Sequence, residues 1–370
     1  MTLARAIRGA LLFGLLSGCT NTDWSTGFDR KPMLADIVSN VILPTYADLD
    51  ERSDELRTAV SDLADDPTEA RLASAQQAWR AARKPWKQSE AFRFGPVQSS
   101  KIGEAIDWWP AKPDNIEARI AGGEPITSEL IESIGTSSKG FMAMEYLLFD
   151  PEGDRAAVLA RLTAPDNGAR RRAYLLALAE NLATKTTALS EAWDPASGNY
   201  AGALREAGGA SATYVSRKAA VDQVVNRLVV EAEVIATNKL GKPLGKSSGG
   251  APQPDLEEAP RSDNSLDDVL DGLRGIANVY QGTYGGADGL GLGDLVRSKS
   301  EPLDASVRGD IEGALLAVSA VPFPLRTAIT ERPAEANAAY ESVRTLKRTL
   351  ATEVVSVLGV TLTFNDNDGD

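Results

Sequence analysis

Ser138-Lys139-Gly140-Phe141-Met142-Ala143-Met144-Glu145-Tyr146-Leu147-Leu148-Phe149 is the stretch on which the fold turns. It is the most apolar segment beyond residue 20, yet a carboxylate sits in its middle. On a helix, Phe141, Met144, Glu145 and Leu148 share one face by the i, i+3, i+4, i+7 rule. An unpaired buried carboxylate costs several kcal/mol or more, so Glu145 needs a partner or a wet cleft. Two readings stand: an internal salt bridge to an Arg of a neighbouring helix, or a ligand-facing carboxylate at the centre of a helical bundle.

Outward from this stretch the same periodicity recurs. Leu34, Ile37, Val38, Val41, Ile42, Leu49, Leu56, Val60 and Leu63 form one helical stripe, with Pro44 expected to kink or interrupt it. Asp65-Asp66-Pro67-Thr68 stops that helix and starts another, through Leu72, Trp79 and Trp86, bending at Pro85. Residues 111–136 are expected to hold one short helix, near Ile126 to Ile134. Helical spacing returns over 155–163, 169–193 and 211–239, and after residue 262 over helices near 303–321 and 331–358. No period-two strand pattern stands out. The Gly-, Ser- and Pro-rich stretch 241–261 reads as a linker. Glycine-dense Tyr284–Asp294 lacks a Gly-Lys-Ser/Thr ending and reads as a loop closing on a helix N-cap, not a phosphate cradle.

At 370 residues, with 43% hydrophobic and 25% charged residues, the chain can bury a full core. Its net charge of −13 argues against nucleic acid as a partner. There is no histidine, which removes Ser-His-Asp and Cys-His chemistry and every His-based zinc or iron site. Any general base is Asp, Glu, Lys or Tyr. The only cysteine, Cys19, follows Arg5, Arg8 and a short apolar run ending in Leu16-Ser17-Gly18. That pattern reads as a signal peptide over residues 1–18, too short to span a bilayer. It also resembles a bacterial lipobox, with Cys19 lipidated and Thr20, in place of Asp, favouring the outer membrane.

Lys139-Gly140-Phe141-Met142-Ala143-Met144-Glu145 resembles the signature helix of imelysin-like proteins, Gly-x-His-x-x-Glu. Gly140 and Glu145 fall on the motif, and Met142 stands where the family has His. Glu90-Ala91-Phe92 with Gly95-Pro96, and Ile106-Asp107-Trp108-Trp109-Pro110, are similar to two further recurring family segments. The resemblance implies an all-α, exported bacterial protein of two packed helical bundles with a central cleft. Its expected divisions are a signal peptide (1–18), a tether (19–32), a first bundle (33–240), the linker (241–261), a second bundle (262–360) and a disordered acidic tail (361–370).

The family is linked to iron uptake or classed among metallopeptidases, the motif's His and Glu being proposed metal ligands. With Met142 in the His position that half-site is broken, because a thioether suits Cu(I) and is poor for Fe(III), Zn or Ca. The leading expectation is a non-enzymatic binding or accessory lipoprotein for iron or other metal uptake, facing the periplasm, with a degenerate metal site. The alternative is a metallopeptidase-like hydrolase using carboxylate ligands, Glu145 doubling as base. The expected cleft residues are Glu90, Arg93, Asp107, Trp109, Lys139, Met142 and Glu145. Glu145, with Glu90 and Asp107, is the candidate ligand set for iron or another hard cation. Arg93 and Lys139 are expected to pair these carboxylates or to meet a small anionic ligand. A lipid on Cys19 would supply the membrane contact, and an envelope transport component is the expected protein partner.

Overall fold

The computed structural model describes residues 27–363. The signal peptide, Cys19 and the last seven residues of the acidic tail lie outside the described residues. The described part is all-α, with no strand among the described residues beyond an isolated bridge between Tyr284 and Ala287. Eight helices form its body: α1 (Leu43–Asp65), α2 (Glu69–Ser89), α3 (Gly140–Leu148), α4 (Gly168–Trp193), α5 (Arg217–Val234), α6 (Ser265–Gln281), α7 (Glu301–Ser319) and α8 (Pro333–Arg348).

The signature stretch is α3, and every residue from Gly140 to Leu148 except Tyr146 is buried. Helices α1 to α4 pack together as one group, and α5 to α8 as another. The two groups meet where α2 lies along α6. At that crossing a Cβ on Gly275 would come within 2.2 Å of the Gln88 carbonyl, so only glycine lets the backbones approach. A single hydrophobic cluster runs through both groups, from Met33 to Val360.

Three features differ from the sequence expectations. Pro44 does not break its helix. The chain runs from Arg30–Asp36 through a π-helical stretch, Ile37–Ile42, directly into α1, and the wider turn absorbs the proline. The Pro113–Ala121 helix was not expected. It starts on proline and buries only Ile116 and Ile120, too few apolar positions to show a period. The 241–261 stretch is not an open linker: its later part is a buried strap. Glu257, Glu258 and Ala259 are all buried although no regular helix carries them, because charged partners on both helical groups hold them.

Candidate functional site

The centre of the seam is ionic. On α2, Trp79, Arg83 and Lys87 follow one another at four-residue steps and so point the same way. Trp79 packs edge-on against Phe141 and donates its indole N–H to the Phe141 carbonyl at 3.0 Å. Arg83 and Lys87 carry that apolar face into the seam, where both are essentially inaccessible to solvent, at 0% and 1% exposure. Buried charges persist only when paired and hydrogen-bonded, and here they are. Arg83 Nε donates at 2.9 Å to both oxygens of Asp268, on α6. Its other nitrogens reach Asp107 at 3.2 Å and Glu258 at 3.3 Å. Lys87 Nζ donates to Glu90 at 3.1 Å, to Asp107 at 2.7 Å and to Glu258. Lys239, from the π-helical Ile235–Gly241 stretch that continues α5, donates to Glu90 at 2.6 Å and lies 3.3 Å from Glu258.

The electrostatics follow from this geometry. Burial works against the Arg83 charge, yet Asp107, Asp268 and Glu258 hold its pKa well above the usual value. Lys239 is likewise held up, against burial, by Glu258 and Glu90. Burial alone would raise Glu90, but Lys239 and Lys87 overcome it and bring the carboxyl down to about 2. Asp107 is also driven below the carboxylate range, against burial, by Arg83 and Lys87 and by hydrogen bonds from Lys87 and the Trp86 indole. These groups are therefore charged at neutral pH, and none is a proton donor or acceptor for chemistry there.

Glu145 belongs to neither expected category. It is 2% exposed and pairs with no Arg or Lys side chain among the described residues. Its Oε1 accepts from the backbone N–H groups of Arg261 (3.0 Å) and Ser262 (2.9 Å) and from the Ser262 hydroxyl (2.7 Å). The motif carboxylate thus clamps the strap onto α3. Burial pushes its pKa up, against the pull of Ser262, Arg83 and Arg261. Met142, one turn earlier on the same helix, is buried but lies outside the contiguous apolar core.

Of the seven expected cleft residues, the structure brings Glu90 and Asp107 together. The expected cationic partners are corrected. Lys139 Nζ instead donates to the Glu132 carbonyl at 2.9 Å, and the Arg93 guanidinium lies over the Trp86 ring at 5.9 Å. Their places are taken by Arg83, Lys87 and Lys239. Trp109 is half-buried, beside a cis bond to Pro110, and is not part of the core. Arg83 and Lys87 left a legible trace, two cations at the i+4 and i+8 positions of a face marked as buried by Trp79. Lys239 and Glu258 left none.

The residues present do not fit the metal that the motif implies. The motif's imidazole is a thioether here, Glu145 Oε1 is saturated by three donors, and Glu90 and Asp107 are neutralised by cations. Among the described residues no group of three or more His, Cys, Asp and Glu side chains is placed to hold a metal.

The imelysin family profile (Peptidase_M75) matches residues 42–352, which takes in α3, the seam and the strap. The chain belongs to the imelysin family. Iron-regulated protein A of Synechococcus elongatus (strain ATCC 33912 / PCC 7942 / FACHB-805) is 30% identical over 318 residues, covering 85% of this chain and 81% of that protein. A crystal structure from Parabacteroides distasonis ATCC 8503, assigned as an iron-regulated protein A precursor, superposes with a TM-score of 0.76. It is 26% identical, covering 89% of this chain and 94% of that one. An imelysin-like protein from Psychrobacter arcticum 273-4 shares the fold, with a TM-score of 0.72 at 19% identity over 90% of this chain and 97% of that one. In this member of the imelysin family, helix α3 is intact as a structural element and carries Met142 and Glu145 on one turn.

Proposed function

We propose that this imelysin-family chain is a non-enzymatic binding or accessory protein for iron or other metal uptake, lipid-anchored through Cys19 and facing the periplasm, with a degenerate metal half-site. The observation that carries the reading is the state of the motif. Met142 stands in the histidine position, and Glu145 Oε1 is engaged by Arg261 and Ser262. A hydrolase would need an activated water, and the seam carboxylates Glu90 and Asp107, held well below neutral as ion-pair partners, supply no base for one. The iron association is supported by the iron-regulated protein A of Synechococcus elongatus. Anchoring and export are supported by the leader and Cys19, both outside the described residues.

The test is metal content and titration of the chain lacking residues 1–19, with Fe(III), Fe(II), Cu(I), Mn and Ca, on wild type and Glu145→Ala. No stoichiometric site that depends on Glu145 is expected, and no chelator-sensitive peptide cleavage. Stoichiometric binding lost in the variant would restore the motif as a metal site. Cleavage lost in the variant would make the protein a hydrolase.

A further inference from the structure

The seam contains one carboxylate that differs from the rest. Glu90 sits in the short 3-10 turn Glu90–Phe92, Asp107 directly follows the Ile102–Ile106 helix, and Asp268 is on α6. Glu90 and Asp268 lie within helical turns, and Asp107 caps one. Together they balance Arg83, Lys87 and Lys239 one for one. The neighbouring Glu231 is balanced in turn by Arg227, at 3.1 Å. Glu258 is the carboxylate left over. It arrives on the strap that follows the Pro254–Leu256 turn and precedes α6.

Counted this way, these three cations and three carboxylates form a neutral socket, and Glu258 is the surplus, exchangeable anion within it. It makes contact with all three cations at once: Arg83, Lys87 and Lys239. The strap is flanked by tight turns. Gly245, Gly249 and Gly250 lie in the left-handed region on one side, with Gly249 and Gly250 exposed, and Asp263 has φ +57° on the other. The strap has further fastenings: Glu145 accepts from Arg261 and Ser262, Arg80 donates to the Ser262 carbonyl at 2.7 Å, and the Arg261 guanidinium lies over the Tyr146 ring. Ser265 Oγ accepts from the Ala259 N–H, and Arg326 lies against Glu257 and Asp263.

We propose that the strap is a tethered plug: Glu258 occupies a carboxylate-binding socket formed by Arg83, Lys87 and Lys239, and a free carboxylate ligand takes its place when the strap lifts. The ligand class is an organic carboxylate presenting one carboxyl group to the socket, since one negative charge is what Glu258 supplies. A doubly charged tetrahedral anion would overcharge a site already holding three carboxylates. Lifting also withdraws Arg261 and Ser262 from Glu145, so ligand entry and release of the motif carboxylate are one event. This rests on the reading of the protein as a binding component and names the ligand class for its seam. It does not depend on any metal, and a metal titration that failed or succeeded would leave it standing.

Isothermal titration with propionate, and with sulfate as control, tests it on the chain lacking residues 1–19. Glu258→Gln removes the tethered competitor and is expected to bind propionate at least ten-fold more tightly than wild type, with no gain for sulfate. Adding Lys87→Met to Glu258→Gln is expected to abolish that gain. A folded Glu258→Gln that binds propionate no better than wild type overturns the proposal, as does an equal gain for sulfate. Should Glu258→Gln fail to fold, Glu145→Ala loosens the strap without touching the socket. It is expected to tighten propionate binding and to speed amide exchange over residues 257–263, and absence of both overturns the proposal.

Discussion

Gly140 opens α3 at φ +69°, and a Cβ there would lie 2.2 Å from the Ile106 carbonyl oxygen and 2.7 Å from that of Ala105. The first residue of the family motif is therefore a packing residue. It lets the signature helix start against the backbone that delivers Asp107 to the seam. Gly140→Ala imposes both a left-handed conformation and a clash with backbone, and is expected to destabilise the chain by about 2 kcal/mol or more. Denaturant unfolding with an unchanged m-value checks this. The motif was legible only as a family resemblance, carried by Gly140, Glu145 and the apolar residues around them. The role of its carboxylate was not, because the donors to Glu145 are backbone N–H groups 116 and 117 residues away, and no residue type announces them.

At the scale of elements, α2 carries the molecule's most consequential side chains. Its apolar positions, Leu72, Ala75, Trp79, Ala82 and Trp86, were legible as a buried stripe, and all are buried. Arg83 lies beside that stripe among four other cations of the helix, and a cation in a helix is ordinarily a solvated one. Its burial depends on acids delivered by α6 and by the strap, elements whose positions relative to α2 no local pattern encodes. Glycine, serine and proline in 241–261 signal an open connection, which describes the exposed residues 246–252 but not the buried strap that follows. Arg83→Met would leave Asp107, Asp268 and Glu258 facing one another without their shared partner. Removing one member of a buried pair costs about 3–5 kcal/mol, so the variant is expected to lose that much in equilibrium unfolding. Addition of Asp268→Asn should recover part of the loss, a coupling that a double-mutant cycle measures directly.

Across the whole molecule, acid and base act on stability with opposite signs. Burial, opposed by Arg326, pushes the Glu257 carboxyl from 4.5 up to about 7. Between those values the native chain holds a proton that the unfolded chain has released, so stability falls as pH rises through that window. Glu145 and Glu231, also raised by burial, act in the same direction. Glu90, brought down to about 2, and Asp107, also lowered, act oppositely: their contribution is present above the ordinary carboxylate range and is lost as pH falls toward 2. The melting temperature is therefore expected to rise as pH is lowered from 8 to 5 and to fall steeply below 4. Glu257→Gln should remove much of the rise, on the order of 3 kcal/mol, while leaving the acid limb in place. Scanning calorimetry of both proteins across that range decides it.

The seam also dictates an order of events during synthesis. Arg83 emerges 175 residues ahead of Glu258 and 185 ahead of Asp268. For most of translation, the cations of α2 have Glu90 and Asp107 but lack Asp268 and Glu258. The helices of the first group can form and collapse on their apolar stripes, but the face that bears Arg83 and Lys87 has to stay wet until the strap and α6 arrive. Closing contacts that far apart is slow, because chain entropy is spent before anything is gained. A nascent or truncated chain ending short of the strap thus presents an unfinished interior, open to proteases and chaperones. Only the full-length chain can shut it, so the seam acts as a checkpoint on completeness.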